Sequence, residues 1–83
     1  MSKIIDTEEK GGVVIISTEG YLNKDLALAV MEEASKHIDN GTINILINLS
    51  KSNIVNSIGA SIIIELIEKL QEVNGSLSFC ELP

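Results

Sequence analysis

Short β-branched runs alternate along this chain with longer stretches whose apolar residues recur at helical spacing. Lys3-Ile4-Ile5 predicts a short strand. Glu8-Glu9-Lys10-Gly11-Gly12 predicts a turn closed by a glycine pair, and Val13-Val14-Ile15-Ile16-Ser17 a second strand, so the beginning of the chain reads as a hairpin. Thr18 to Asn23 reads as a loop. From Lys24 to Ile38, a helical wheel gathers Leu26, Ala27, Val30, Met31, Ala34 and Ile38 on one face and Glu32, Glu33, Ser35 and Lys36 on the other, which predicts an amphipathic helix. Asp39-Asn40-Gly41 ends it, with Gly41 suited to the left-handed C-terminal position.

Ile43-Asn44-Ile45-Leu46-Ile47-Asn48-Leu49 predicts a third strand, followed by a loop and a helix from about Ser57 to Val73. On that helix Ile62, Ile63, Leu66, Ile67, Leu70 and Val73 form a sheet-facing arc, and Ser61, Glu65, Glu68 and Glu72 a solvated one. Ala60 and Ile64 lie on the flank, so the apolar arc is wider than one contact needs. Two readings account for it: a generously covered core helix, or a partner-binding rim formed with Ile58. Asn74-Gly75 ends the helix, and Leu77-Ser78-Phe79-Cys80 is the last strand.

This order (β-β-α-β-α-β) predicts a single α/β domain over residues 1–83 with a four-stranded mixed sheet and its helices mainly on one face. Crossover helices imply three parallel strands, and the hairpin places the first strand antiparallel at or near an edge. The pattern stops just after a strand. The expectation is that the other sheet face needs cover, from a further segment or another molecule.

Composition narrows the function classes. The chain has 83 residues and a formal net charge of −6, with no basic stripe, which disfavours nucleic acid and anionic membrane surfaces. A single cysteine, Cys80, allows no internal disulfide and fits a reducing cytosol. No signal-peptide core is present at the start, and the longest wholly apolar run, Leu26 to Met31, is too short to span a bilayer, so the expected location is cytoplasmic. His37 stands alone in the last turn of a helix, where solvation or the helix dipole suffices for it. With one His and one Cys, neither a transition-metal site nor a nucleophile–histidine pair can be assembled, and Gly11-Gly12 lacks the Lys-Ser/Thr of a phosphate loop. No cofactor and no catalytic residue is expected.

The informative segment is Asn48-Leu49-Ser50 through Asn53 to Val55-Asn56-Ser57-Ile58-Gly59-Ala60, at the strand-to-helix junction where parallel sheets meet their ligands. Ser57 is suited to cap the helix; the same position favours an anion or a bound phosphate, which makes Ser57 a candidate phosphoacceptor.

Residues 43–70 resemble the anti-sigma-factor antagonist family, the bacterial branch of the sulphate-transporter and anti-sigma-factor antagonist (STAS) domains. The family's Asp-Leu-Ser-like triplet is matched by Asn48-Leu49-Ser50, its Asp-Ser-Ser/Thr-Gly tetrad by Asn56-Ser57-Ile58-Gly59, and its Gly-x-Leu/Ile segment by Gly20-Tyr21-Leu22. The element order agrees from residue 4 to residue 82; the family's further C-terminal helical part is not in this sequence. The resemblance implies a non-enzymatic domain that docks to a kinase-type anti-sigma factor, freeing a sigma factor for transcription. The implied contact surface is the loop from Lys51 to Ile58 and the first turns of the second helix, with Asn53, Asn56, Ser57, Ile58, Gly59, Ala60 and Ile64 as its residues. Ile58 stands where the family carries its phosphorylated Ser or Thr, which suggests a member locked in the binding-competent state or one using another switch. The alternatives are a scaffold or small subunit of a signalling assembly or membrane transport system, self-associating or bound to related STAS proteins, and a nucleotide-binding protein.

Overall fold

The structure, a computed structural model, describes residues 2–52 and 55–80. It contains β1 (Lys3–Lys10), β2 (Val13–Glu19), α1 (Lys24–Asp39), β3 (Asn44–Lys51), α2 (Ser57–Glu72) and β4 (Ser76–Cys80). The sheet order is β1-β2-β3-β4, with β1 antiparallel to β2 and the other pairs parallel. This is the β-β-α-β-α-β mixed sheet that the pattern predicts, with β1 at an edge.

Several boundaries differ from the sequence reading by a residue or two, β3 for instance spanning Asn44–Lys51, and three differences bear on the argument. β1 runs on through the polar residues to Lys10, because it is an edge strand with little face to bury and Gly11-Gly12, both at positive φ, suffice for the turn. β2 extends through Thr18 and Glu19, which the pattern leaves to a loop. Val73 is the C-cap of α2 and 42% exposed, so it does not belong to the sheet-facing arc; the helix has ended before its side chain can reach the sheet.

The core is one layer thick. Val14 and Ile16 of β2 lie beside Ile45 and Ile47 of β3, and Leu49 continues that face. Against them pack Leu26, Ala27, Val30, Ala34 and Ile38 of α1, and Ile63, Leu66 and Leu70 of α2. Met31, Ile62 and Leu77 are half-buried at its margin. On the opposite sheet face, half-buried Val13, Ile15 and Leu46 are set among Ser17, Asn44, Asn48, Ser76 and Ser78. His37 faces Glu9 and Glu33, its Nε2 lying 3.5 Å from Glu33 Oε1, so it joins α1 to the edge strand. Cys80 closes β4; its side chain lies outside the described part.

Candidate functional site

Both helices begin at the same end of the sheet, because each follows a parallel strand at its C-terminal end. An asparagine caps each one: Asn23 Oδ1 accepts from the Leu26 amide at 3.0 Å and Asn56 Oδ1 from the Gly59 amide at 2.7 Å. Asn56 therefore takes the capping role that the sequence reading gives to Ser57. The two residues are comparably good caps. Asn56 is selected by its extended backbone and by its amide, which donates to Leu22 O at 3.2 Å. Ser57 becomes the first helical residue, exposed, with its carbonyl accepting from Ser61 Oγ at 2.9 Å.

The two loops at this end are sewn together. Leu22 and Val55 form an isolated parallel bridge, and the Gly20 amide donates to Lys51 O at 2.9 Å. Beneath them Thr18 Oγ1 and Ser52 Oγ share a 2.7 Å hydrogen bond, with both residues 1% exposed. Gly59 lies so close to the first loop that a Cβ there would stand 2.5 Å from Leu22 O. On the neighbouring strand end, Asn48 Oδ1 accepts from the Ser50 amide at 2.9 Å, a local turn that needs no carboxylate.

The predicted site residues divide into three groups. Asn56 and Gly59 hold the helix start in place. Ile58 and Ile64 are 54% and 56% exposed, and Ala60 is half-buried. Asn53 lies outside the described residues. Ala60 and Ile64, with Leu22, Leu49, Val55, Ile63, Ile67 and Phe79, line an apolar groove of about 290 Å³ on the side of α2 above β4. The sequence reading found the helix half of this groove through the wide apolar arc. Val55 belongs to the loop that the sequence reading placed in the contact surface; Phe79, distant in sequence from Ile64 and brought beside it through the strand order, was missed.

None of Asn56, Ser57, Ile58, Gly59, Ala60 and Ile64 has an ionisable side chain, so the surface offers contact area and amide hydrogen bonding rather than acid–base chemistry. Among the described residues no group of three or more His, Cys, Asp or Glu could hold a metal ion, and no helix is long and apolar enough to cross a membrane. Replacing Asn56 by alanine should cost about 1 kcal/mol through loss of the cap. Asn56→Asp should cost less, because a carboxylate at a helix N-terminus keeps the acceptor and favours the dipole. Urea denaturation of the two variants checks this ranking.

Comparison with known proteins agrees with this architecture. A putative anti-sigma factor antagonist, BtrV of Bordetella bronchiseptica, is 25% identical over 71 residues, covering 86% of this chain and 61% of its own. The unphosphorylated form of the anti-sigma factor antagonist SpoIIAA superposes with a TM-score of 0.74 at 20% identity, over 89% of this chain and 69% of that one. The structure of Mglu contains the same fold in 19% of its length, with a TM-score of 0.80 at 19% identity over 93% of this chain. The chain thus spans about three fifths of the length of BtrV. The family profile described as the STAS domain matches residues 5–83, and the chain belongs to the STAS domain family.

Proposed function

We propose that this domain is a regulatory docking module of the anti-sigma-factor antagonist type, which acts by binding a kinase-type anti-sigma factor rather than by turning over a substrate. The observation that carries the reading is the exposed apolar surface at a rigidly held helix start: Val55, Ile58 and Ile64 are each about half exposed, around a cap and a close backbone contact. A β-branched residue gains nothing from helix propensity at an exposed position, so local structure does not account for Ile58. Contact with a partner accounts for it.

SpoIIAA has been solved in unphosphorylated and phosphorylated forms. In this chain the residue before Gly59 is Ile58, which carries no hydroxyl. A phosphate cannot be added there, and the surface keeps the uncharged character of a binding-competent state. Ser57, exposed in the first turn, is the nearest hydroxyl and remains the candidate acceptor if the domain is switched by phosphorylation.

The test is calorimetric titration against the kinase-type anti-sigma factors of the source genome. Binding is expected without nucleotide-dependent loss, and Ile64→Glu should weaken it at least tenfold while leaving the thermal unfolding midpoint within a few degrees, because Ile64 contributes little to the core. Incubation with ATP and the bound kinase should leave the segment around Ile58 unmodified if the domain is locked in the binding state, and phosphate mapped to Ser57 would show a switch at that hydroxyl instead. Absence of binding to every such factor would overturn the reading.

A further inference from the structure

α1 and α2 run side by side in the same direction and keep one register along their length. Leu22, ahead of α1, is bridged to Val55, 33 positions on, and Ser35 Oγ accepts from Lys69 Nζ at 3.0 Å, 34 positions on. Ser35 and Lys69 therefore mark the two flanks that meet. Leu28 lies two turns before Ser35 and Ile62 two turns before Lys69, so each shares that flank and the two stand level. With Met31 and Ile58 they make an apolar seam towards the helix starts. Met31 and Ile62 are half-buried in its floor, while Leu28 and Ile58 stand 45% and 54% exposed at its mouth. The seam lies between two helices, on the flank of α2 opposite the groove above β4.

Further along, carboxylates stand on both banks. By the same register Glu32 and Glu65 are level across the seam, and so are Asp39 and Glu72, the last residues of the two helices. All four are exposed. Helix stability does not account for them. Level carboxylates repel across the seam, and Glu65 and Glu72 each repel Glu68 along α2. The negative ends of two parallel helix dipoles lie at this end, where cations are favoured, and α2 has no acidic residue in its first turn. The ion pairs within 4 Å among the described residues join Glu9, Glu33, Lys36 and His37, and none of these four carboxylates. Lys36 is turned to Glu33 and Lys69 to Ser35.

We infer that the α1–α2 seam seats a basic amphipathic segment of a partner protein. Its apolar side chains meet Leu28, Ile58 and Ile62, and its lysines or arginines reach the Glu32–Glu65 and Asp39–Glu72 pairs. This rests on the reading of the domain as a docking module and adds the chemistry of what docks. Charge complementarity selects the occupant: a cation placed between two level carboxylates turns their repulsion into attraction. A second copy brings the wrong sign, since its own seam is acidic and the chain holds six Lys and Arg against twelve Asp and Glu. Phosphate-rich surfaces are repelled for the same reason. The seam also sets the direction of the occupant, with its apolar part over the helix starts beside Ile58 and its basic part towards the helix ends.

The probe is a short amphipathic peptide of leucine and lysine, titrated into the isotope-labelled domain and followed by amide shifts, with a peptide of leucine and glutamate as control. The lysine peptide is expected to shift Leu28, Met31, Ile62 and Glu65, and the glutamate peptide none of them. Glu65→Gln with Glu72→Gln removes one member of each facing pair. It should weaken the lysine peptide at least tenfold and leave the unfolding midpoint at or above that of the parent. Asp6→Asn with Glu8→Gln, the same charge change at exposed positions of β1, should leave binding within twofold. Shifts spread over the whole surface, equal losses from the two double variants, or a lowered midpoint in the seam variant would each overturn the inference. An anti-sigma factor that binds in the calorimetric titration should also lose at least tenfold on the seam variant. Undiminished binding there, with Ile64→Glu still damaging, would overturn the inference and leave the docking reading standing. If no such factor binds, the docking reading falls, and the peptide titration still decides the chemistry of the seam.

Discussion

Replacing Gly59 by alanine is expected to destabilise the domain by about 2–3 kcal/mol and to loosen the end of the molecule that carries the proposed contact surface. Two effects oppose each other. Alanine is the better helix former by up to about 1 kcal/mol, and Gly59 sits in the first turn of α2 at an ordinary helical conformation, so propensity alone predicts a gain. The added methyl, however, would stand 2.5 Å from Leu22 O, 3.2 Å from Asn56 Oδ1 and 3.3 Å from Asn23 O. The nearest of these is backbone, fixed by the bridge between Leu22 and Val55 and by the cap of α1, so it cannot rotate away as a side-chain tip would. Relief requires that the start of α2 lift off the first loop, which breaks the Asn56 N–H to Leu22 O bond. The steric term wins. Urea denaturation should show the loss in stability, and amide exchange should show faster opening at Asn56 and Ala60 than at Leu66 and Leu70 in the middle of the same helix. A Gly59→Ala variant as stable as the parent would mean that the loops are not held together as described.

How far the sequence reveals this arrangement depends on the range of the interactions involved. Strand and helix identities were legible because each buried element carries its own signal: Val13 to Ser17 is a bounded β-branched run that becomes β2, and Leu26, Ala27, Val30, Ala34 and Ile38 follow a helical stripe. The parallel order followed from the crossovers. Where neighbouring residues compete for one role, local pattern could not decide. Asn56 and Ser57 are both good caps, and the backbone contact with Leu22, more than thirty positions earlier, selects Asn56. The two Asn-Gly helix ends look alike yet differ by one position. Gly41 has the positive φ after α1, whereas Asn74 has it after α2. Gly75 serves instead to make room, since a Cβ there would run into the carbonyl of Ile43, the residue just before β3. The exposed half of β1 has no burial pattern to read, and only the glycine turn fixes its pairing. The groove was half visible: the excess apolar arc of α2 and the loop before it announced it, while Phe79 joined it through sheet order alone.

The buried Thr18–Ser52 pair is the interaction least visible from sequence and among the most consequential, and a double-mutant cycle should display both its cost and its purpose. Ser52→Ala leaves the Thr18 hydroxyl 1% exposed and without its partner, which should cost about 1–3 kcal/mol; Thr18→Val does the same to Ser52. The pair together, Thr18→Val with Ser52→Ala, should be less damaging than the sum of the two, because no hydroxyl is then left buried alone. A buried polar pair that adds so little net stability over an apolar one calls for another account, and its position supplies it. Ser52 is the first residue after β3, and its amide turns back to Leu49 O at 3.0 Å, so the hydroxyl pair fixes where the chain leaves the sheet on its way to α2. An apolar pair would fill the space without fixing that direction. The double variant is therefore expected to melt within about 1 kcal/mol of the parent while binding more weakly at the surface around Ile58 and exchanging its Gly59 amide faster. Parental stability with parental binding and exchange would make the pair a mere filler of the core. Parental stability with weakened binding would show that the geometry of the loop, and not its composition alone, is what the partner reads.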